Sequence, residues 1–223
     1  SACLVGSEMC IRDRGGGTSA AGIYESTDAG QTWALLSSGV PTGSAIQRIS
    51  LSISSDGTHV YAVLDDGTTN TLVNNSVYVS TDTGATWAAK AIPANGGQGF
   101  YDLYVAVDPS DSTGNTAYVG ELDVLQTTDG GTTWTNLTNT NSGGPVHTDQ
   151  HALAFLSPSS SSYYLGNDGG VWRGTRSGTF TNLNAGGLTI TQFYGGSIGE
   201  VGPDAQLYGG SQDNDVDQRS SGP

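Results

Sequence analysis

The chain has 223 residues, of which 21 are Asp or Glu and only seven are Lys or Arg, so its formal charge is -14. This balance argues against nucleic acid and anionic membrane surfaces as partners, because both need clustered basic side chains. No stretch of the sequence approaches the roughly 20 apolar residues of a membrane-spanning helix, so membrane insertion is not expected. Abundant Gly, Ser, Thr and Asn beside few charged residues are typical of a soluble all-β chain outside the cell.

Residues 1–14 do not resemble the rest of the chain. The run from Met9 to Arg14 matches the translated end of a transposon that is used to prepare DNA for sequencing, so we interpret residues 1–14 as a non-native sequencing or cloning scar. A native N-terminal segment is the alternative. Cys3 and Cys10, the only two cysteines, fall within this segment, so the rest of the chain offers neither a disulfide framework nor a thiolate metal site.

One eight-residue pattern occurs three times, at Ser26–Trp33, Ser80–Trp87 and Thr127–Trp134. A degenerate fourth copy runs from Gly174 to Phe180, with Phe180 in the place of Trp. The anchor aromatics are 54, 47 and 46 residues apart, a spacing that fits one four-stranded propeller blade per repeat.

The chemistry of this pattern predicts a structural role. Its Asp can accept backbone N–H groups in a tight turn, its Gly supplies a positive φ angle, and its Trp buries a large ring beside the next strand. The residues predicted to be structural rather than catalytic are Asp28, Gly30, Trp33, Asp82, Gly84, Trp87, Asp129, Gly131 and Trp134.

The pattern resembles the Asp-box, or BNR, repeat of sialidase-like, xyloglucanase-like and sortilin-like β-propellers. From Gly99 onward, runs such as Val146–Leu153 and Gly209–Asn214 also resemble a group of secreted bacterial BNR/sortilin-like repeat proteins. The resemblance implies an all-β propeller of four-stranded blades with Asp-box turns, about four of them visible. It also implies an extracellular, periplasmic or cell-surface location in a bacterium, but no settled activity.

Strand signals divide residues 15–223 into a partial propeller. Blades are predicted at 15–40, 46–92, 99–140, 148–185 and 190–223, the first without its inner strands and the last incomplete. The two partial blades could combine into one closing blade of a four-bladed ring. The suspected scar favours the alternative, a fragment whose remaining blades belong to a longer chain. The tyrosines predicted to form interblade core are Tyr24, Tyr61, Tyr78, Tyr118, Tyr164 and Tyr208.

His147, Asp149 and His151 form the strongest chemical pattern. Alternate residues of a strand share one face, and two imidazoles with a carboxylate are a plausible ligand set for a divalent metal such as zinc or iron. Asp168, in the following loop, could complete such a site. A straight strand separates the outer two Cα atoms by roughly 13 Å, so a single ion would need a bent strand. We favour a hydrogen-bonded network in which Asp149 orients a histidine and Asp168 caps its Gly-rich turn.

Carboxyl groups at inner or loop positions are weak catalytic candidates. A glycosidase needs two of them roughly 5 to 9.5 Å apart, one with a raised pKa. Asp102, Glu121, Asp149 and Asp168 qualify by position, but the sequence does not select a pair.

Several aromatic residues fall near predicted loops or inner strands, where their rings could stack on sugars: Phe100, Tyr101, Trp172, Phe193 and Tyr194. Packing in the core is the favoured interpretation of each ring alone. The predicted ligand-binding residues are His147, Asp149, His151, Asp168, Trp172 and Tyr194. We therefore predict a secreted binding or scaffolding module for a polysaccharide or a protein, with a divalent metal as the one conceivable cofactor. The alternative is a glycoside hydrolase of the xyloglucanase-like propeller type that uses a pair of carboxylates, since propellers host both functions.

Overall fold

The computed structural model describes residues 19–139, 143–160 and 162–184 in full. Outside these ranges it describes the backbone of five strands, at Ala2–Cys3, Cys10–Arg14, Phe193–Ile198, Gln206–Ser211 and Val216–Ser220. The regular secondary structure in this part of the chain consists of antiparallel β-strands.

The strands form five sheets that follow one another along the chain. The first sheet contains β1 to β4, at Ala2–Cys3, Cys10–Arg14, Gly22–Ser26 and Ala34–Leu36. The second contains β5 to β8, at Ile46–Ile53, Val60–Asp66, Thr71–Ser80 and Ala88–Ala91. The third contains β9 to β12, at Tyr104–Val107, Ala117–Gly120, Val124–Thr127 and Thr135–Asn136. The fourth contains β13 to β16, at Gln150–Phe155, Ser162–Asn167, Gly170–Thr175 and Phe180–Asn182. The fifth contains β17 to β19, at Phe193–Ile198, Gln206–Ser211 and Val216–Ser220.

The second sheet is buried on both faces. In β6, Tyr61 and Val63 pack in a core cluster with residues of the third sheet, whereas Ala62 and Leu64 pack in another cluster with residues of the first sheet. Successive side chains of a strand point to opposite faces, so a strand that is covered on both sides has an almost continuous apolar sequence. The apolar run of β6, from Val60 to Leu64, reflects this burial on both faces.

The third sheet repeats this arrangement. Val119 of β10 belongs to the cluster shared with the second sheet, and its neighbour Tyr118 belongs to the cluster shared with the fourth. The Tyr118 ring lies 5.1 Å from that of Tyr163 and 5.9 Å from that of Phe155, measured between centroids. Sheets stacked face to face in chain order, each covering the next, are the arrangement expected of propeller blades.

The three repeat turns, Ser26–Trp33, Ser80–Trp87 and Thr127–Trp134, are closed by one set of hydrogen bonds. In the second, the Ser80 hydroxyl donates to Asp82 Oδ1 at 2.7 Å and accepts the Gly84 N–H at 2.8 Å. Asp82 accepts both the N–H and the hydroxyl of Thr86, and the Trp87 indole donates to the Gly84 carbonyl. The same bonds recur in the other two turns.

These bonds favour the ionised carboxylate. Hydrogen bonds from Thr86, and then from Ser80, hold the pKa of Asp82 below its usual range. The Asp of each turn therefore uses its oxygens within its own turn, which leaves it a structural residue.

Polar contacts add to the apolar packing between sheets. The Val107 N–H donates to the Ser52 hydroxyl at 2.9 Å, and the Tyr61 hydroxyl donates to the Gly114 carbonyl at 2.8 Å. Both bonds join the second sheet to the third. They satisfy polar groups that the stacking of the two sheets removes from water.

The ends of the chain differ from the sequence-based expectation. Cys10–Arg14 pairs with Gly22–Ser26, and Ala2–Cys3 pairs with Cys10–Arg14, so the first sheet has the inner strands that the sequence had not predicted. The interpretation of residues 1–14 as a scar stays a prediction. The described strands at the two ends belong to separate sheets and do not form one shared closing blade.

Gly39 and Gly43 allow a test of the contact between the first two sheets. Both have positive φ angles, 85° and 110°. A Cβ on Gly39 would lie 2.0 Å from the Trp87 carbonyl oxygen, whereas a Cβ on Gly43 would meet no atom within 4 Å. We expect Gly43→Ala to destabilise by about 1 to 2 kcal/mol through backbone strain, and Gly39→Ala by about 2 kcal/mol more because the sheets must move apart. Urea denaturation measures both losses, and equal losses would contradict this contact.

Candidate functional site

Five carboxylates collect at one end of the strands of the second, third and fourth sheets. Glu121 follows β10 and Asp102 precedes β9, and these two strand ends are adjacent because Gly120 pairs with Tyr104. In the fourth sheet, Asp149 precedes β13 and Asp168 follows β14. Asp65, near the end of β6, is the fifth member, and we call this group the acidic end.

The repeat turns lie at the opposite end of the strands. Thr127, which begins the third turn, pairs with Ala117 at the start of β10, whereas Glu121 follows the end of β10. The Asp residues of the repeat turns are therefore separated from the acidic end by the length of a strand.

Asp65 and Asp102 are fully buried, with exposures of 0%. Neither carboxyl group has a hydrogen-bond partner among the described residues. Glu121 is 1% exposed, and its Oε1 accepts the Gln98 N–H at 2.8 Å. Burying an ionised carboxylate without partners is costly, so these groups resist ionisation.

The pKa values show the effect of this burial. Loss of solvation, followed by the negative charge of Asp149, raises the pKa of Asp102 to about 7. Loss of solvation also raises the pKa of Glu121 to about 7, and it raises that of Asp65. Near neutral pH the acidic end therefore holds protons that ordinary carboxylates would have lost.

The segment 96–102 lies over these carboxylates and links the third sheet to its neighbours. The Gln98 side-chain amide donates to Asp149 Oδ1 at 2.7 Å, while its backbone N–H donates to Glu121. A Cβ on Gly99 would lie 2.6 Å from Asp65 Oδ1, so this close approach requires glycine. Two carboxylates, those of Glu121 and Asp149, hold the segment through hydrogen bonds, and a third, that of Asp65, lies close beneath Gly99.

His147, Asp149 and His151 are not arranged as the alternation of a strand predicted. Asp149 has a φ of +64° and lies before β13, which begins at Gln150 and has a register shift between Gln150 and Ala152. The three side chains therefore do not share one face. His147 Nδ1 lies 3.1 Å from the Thr148 carbonyl oxygen. Within the described ranges, no group of three His, Cys, Asp or Glu side chains is placed to hold a metal ion.

The histidine network uses different partners from those predicted. His151 Nε2 lies 2.6 Å from Asp168 Oδ1, so Asp168, not Asp149, orients this histidine. The Gly-rich turn is capped by Asn167, whose Oδ1 accepts the Gly169 N–H at 3.0 Å. These side chains are hydrogen-bonded, but Asp168 has the role predicted for Asp149, and Asn167 has the role predicted for Asp168.

Phe100, Tyr101 and His151 form a surface that we call the aromatic rim. The two aromatic side chains are 55% and 47% exposed, and the Tyr101 ring meets the His151 ring edge-on with centroids 4.9 Å apart. The Arg48 guanidinium donates to the carbonyls of both Phe100 and Tyr101. Arg48, on the second sheet, thus holds the backbone that carries the rings of Phe100 and Tyr101 next to the third sheet.

Two predicted ligand-binding residues are placed elsewhere or not described. Trp172 is 8% exposed and packs in the core cluster shared by the third and fourth sheets. Tyr194 lies in β17, outside the residues whose side chains the structure describes. Asp65 and Arg48 were missed, although the consecutive acids Asp65 and Asp66 at the end of an apolar run were a signal in the sequence.

No protein-family model matches the chain, and no curated protein matches it. Among solved structures, the chain is similar to YCF48 bound to a D1 peptide, with a TM-score of 0.50 and 14% identity over 96% of this chain and 69% of that one. It is also similar to an ancestral GH74 enzyme, with a TM-score of 0.53 and 17% identity over 92% of this chain and 29% of that one.

At these identities the likeness shows the fold alone, and it identifies the sheets as blades of a β-propeller. The predicted fold class, an all-β propeller of four-stranded blades, is confirmed. In the part of the chain that the structure describes, no helix has the length and apolar character needed to span a membrane.

The raised pKa values of Asp102 and Glu121 predict how stability depends on pH. The folded state holds protons that the unfolded state releases between about pH 4 and about pH 7, so stability should fall as pH rises through this window. The variant Asp102→Asn has no carboxyl group to ionise at this position, so it does not lose stability in this way. The melting temperature of the variant minus that of the unmodified chain should therefore be higher at pH 8 than at pH 4, by on the order of 5 °C.

Thermal unfolding at several pH values measures this difference. Glu25→Gln, which removes a partly exposed carboxylate of the first sheet, is the matched control. A constant difference for Asp102→Asn across these pH values would contradict the burial of an unpartnered carboxyl group at this position.

Proposed function

We propose that this chain is an Asp-box propeller module that binds a polysaccharide at the aromatic rim. The observation that carries the proposal is the pair of exposed rings, Phe100 and Tyr101, on a backbone that Arg48 fixes. Large exposed rings that are held in place lose little conformational entropy on binding and offer flat faces to sugars.

The repeat turns support the Asp-box assignment. All three combine a Ser or Thr, an Asp, a Gly and a Trp at the same spacing, and all three use the same hydrogen bonds. Composition supports an extracellular location, since the chain is rich in Gly and poor in charged residues. The resemblance to secreted bacterial repeat proteins is the support for a bacterial chain at the cell surface, in the periplasm or outside the cell.

The chemistry around the rings favours a sugar over a protein as the ligand. His151 and Asp168 are partly exposed and offer hydrogen-bonding groups beside the ring of Tyr101, a combination that suits a hydroxyl-rich chain. A protein ligand is the competing possibility, and one structure of similar fold is described as bound to a D1 peptide.

Calorimetric titration with soluble xyloglucan tests this proposal. Tyr101→Ala and Phe100→Ala should each weaken binding about tenfold or more, because each removes a ring face from the rim. Tyr164→Ala is the matched control, since Tyr164 is 42% exposed on β14 and lies outside the rim, and it should bind normally. Equal weakening by all three variants, or no binding to xyloglucan and to other neutral polysaccharides, would remove the support for a polysaccharide ligand.

A second candidate function is glycoside hydrolysis. Asp102 and Glu121 have pKa values of about 7 at one end of the strands, and a carboxyl group that keeps its proton near neutral pH can act as a general acid. Their burial favours the binding function, because a catalytic carboxyl group must reach the glycosidic bond.

Release of reducing sugar from xyloglucan distinguishes the two functions. If the chain is a hydrolase, Asp102→Asn and Glu121→Gln should each lower the rate at least about 100-fold while xyloglucan still binds. If it is a binding module, the unmodified chain releases no reducing sugar above that of a heat-denatured sample, and both variants keep the binding that the rim provides.

A further inference from the structure

One position in the repeats breaks their pattern. The third residue after each anchor aromatic is Leu36, Leu137 or Leu183 in three repeats, but it is Lys90 in the second. These positions are structurally equivalent. Each lies on the last strand of its sheet or directly after it, opposite the residue that stands three places before the first residue of the same repeat. Leu36 pairs with Ile23 and Lys90 with Val77, while the N–H groups of Leu137 and Leu183 donate to Val124 and Val171.

The equivalent side chains also have equivalent surroundings. Leu137 of the third sheet packs against Gly178 in the turn of the fourth, where a Cβ on Gly178 would lie 3.3 Å from Leu137 Cδ2. Lys90 of the second sheet packs in the same way against Gly131, where a Cβ would lie 3.1 Å from Lys90 Cγ. The methylene stem of Lys90 therefore takes the place of a partly buried leucine, and its ammonium lies at the far end of this stem.

A groove of about 350 Å³ lies at this position, between the second and third sheets. This volume is within the range of small-molecule sites. Besides Lys90, the polar residues that line it are His59, Thr81, Thr86, Asn115, Asp129 and Thr132. Trp87 contributes an apolar wall and keeps its indole N–H on the Gly84 carbonyl. The groove is at the repeat-turn end of the strands, away from the acidic end and the aromatic rim.

The donors in this groove are not fully used within the protein. Among the described residues, the Lys90 ammonium has neither a hydrogen-bond nor an ion-pair partner. The His59 ring is engaged at Nδ1, by the Thr58 hydroxyl at 3.0 Å. Asp129 uses both carboxylate oxygens within its own turn. A ligand in the groove would therefore meet a cation, an imidazole and several hydroxyl and amide groups.

We propose that this groove binds one saccharide unit that carries a carboxylate, with the Lys90 ammonium on the carboxylate and Thr81, Asn115 and Thr132 on the sugar hydroxyls. The proposal does not depend on the rim, because different residues at the other end of the strands carry it. The groove also contains the Asp129 carboxylate, whose two oxygens accept hydrogen bonds within its own turn. A single carboxylate on a sugar can reach the Lys90 ammonium, whereas an acidic peptide would place further charges along a surface of net negative charge.

The overall charge of -14 opposes any anion, so we expect a weak site, with a dissociation constant of roughly 1 mM. Titration of the ¹⁵N-labelled chain with sodium galacturonate, followed by amide NMR shifts, measures such affinities. Signals of Lys90, Asn115 and Gly130 should move together, and galactose should bind at least about tenfold more weakly, because it lacks the carboxylate.

Lys90→Leu is the decisive variant, because it restores the residue that the other three repeats have at this position and should therefore fold. We expect it to lose at least about tenfold in galacturonate affinity, whereas Lys90→Arg keeps most of it. Tyr101→Ala, which changes the rim, should leave galacturonate binding unchanged. Xyloglucan binding by Lys90→Leu should be normal, so a failure at the groove is distinguishable from a failure at the rim.

Four outcomes would overturn the proposal. Galactose that binds as tightly as galacturonate would remove the role of the carboxylate. Unchanged affinity of Lys90→Leu would remove the role of Lys90. An oligoglutamate peptide that binds more tightly than galacturonate, or an absence of shifts up to about 20 mM galacturonate, would show that a sugar acid is not the ligand.

Discussion

The burial of the second and third sheets on both faces is the constraint on which this fold depends. A sheet with apolar side chains on both sides cannot exist alone in water, so each one needs a neighbour before and after it. Tyr61 and Ala62, adjacent in β6, belong to different cores for this reason. Because both faces of these sheets are covered by packing, groups that could bind a ligand lie at the ends of the strands.

The sequence predicted the local features of this fold well. The repeat turns depend on residues within eight positions of each other, so their spacing was sufficient to place them. Tyr61, Tyr78 and Tyr118 are buried as predicted, but in the fourth sheet Tyr163 is buried and Tyr164 is 42% exposed. Two consecutive tyrosines leave the choice of face to the register of the strand, which the pattern alone does not define.

Prediction of the site was limited by backbone geometry and by contacts between distant segments. The metal hypothesis assumed a regular strand through Asp149, where the backbone has a φ of +64°. The raised pKa values depend on the burial of carboxyl groups under a segment whose glycine allows its approach to Asp65. Such burial arises only when three sheets are assembled, so neither Asp65 nor Arg48 was identified. Phe100 and Tyr101 were predicted to lie near loops or inner strands, but core packing was the favoured interpretation of each ring, and their exposure of 55% and 47% differs from it.

The aromatic rim is assembled from three consecutive blades. Arg48 belongs to the second sheet, Tyr101 precedes the third, and His151 lies in the fourth. Repetitive folds are held together mainly by contacts between neighbouring units, so they can separate one unit at a time. A molecule held across the rings of Tyr101 and His151 would connect the third unit to the fourth and would make their separation more cooperative. Ligand binding at the rim would then raise the resistance of the protein to unfolding under a pulling force.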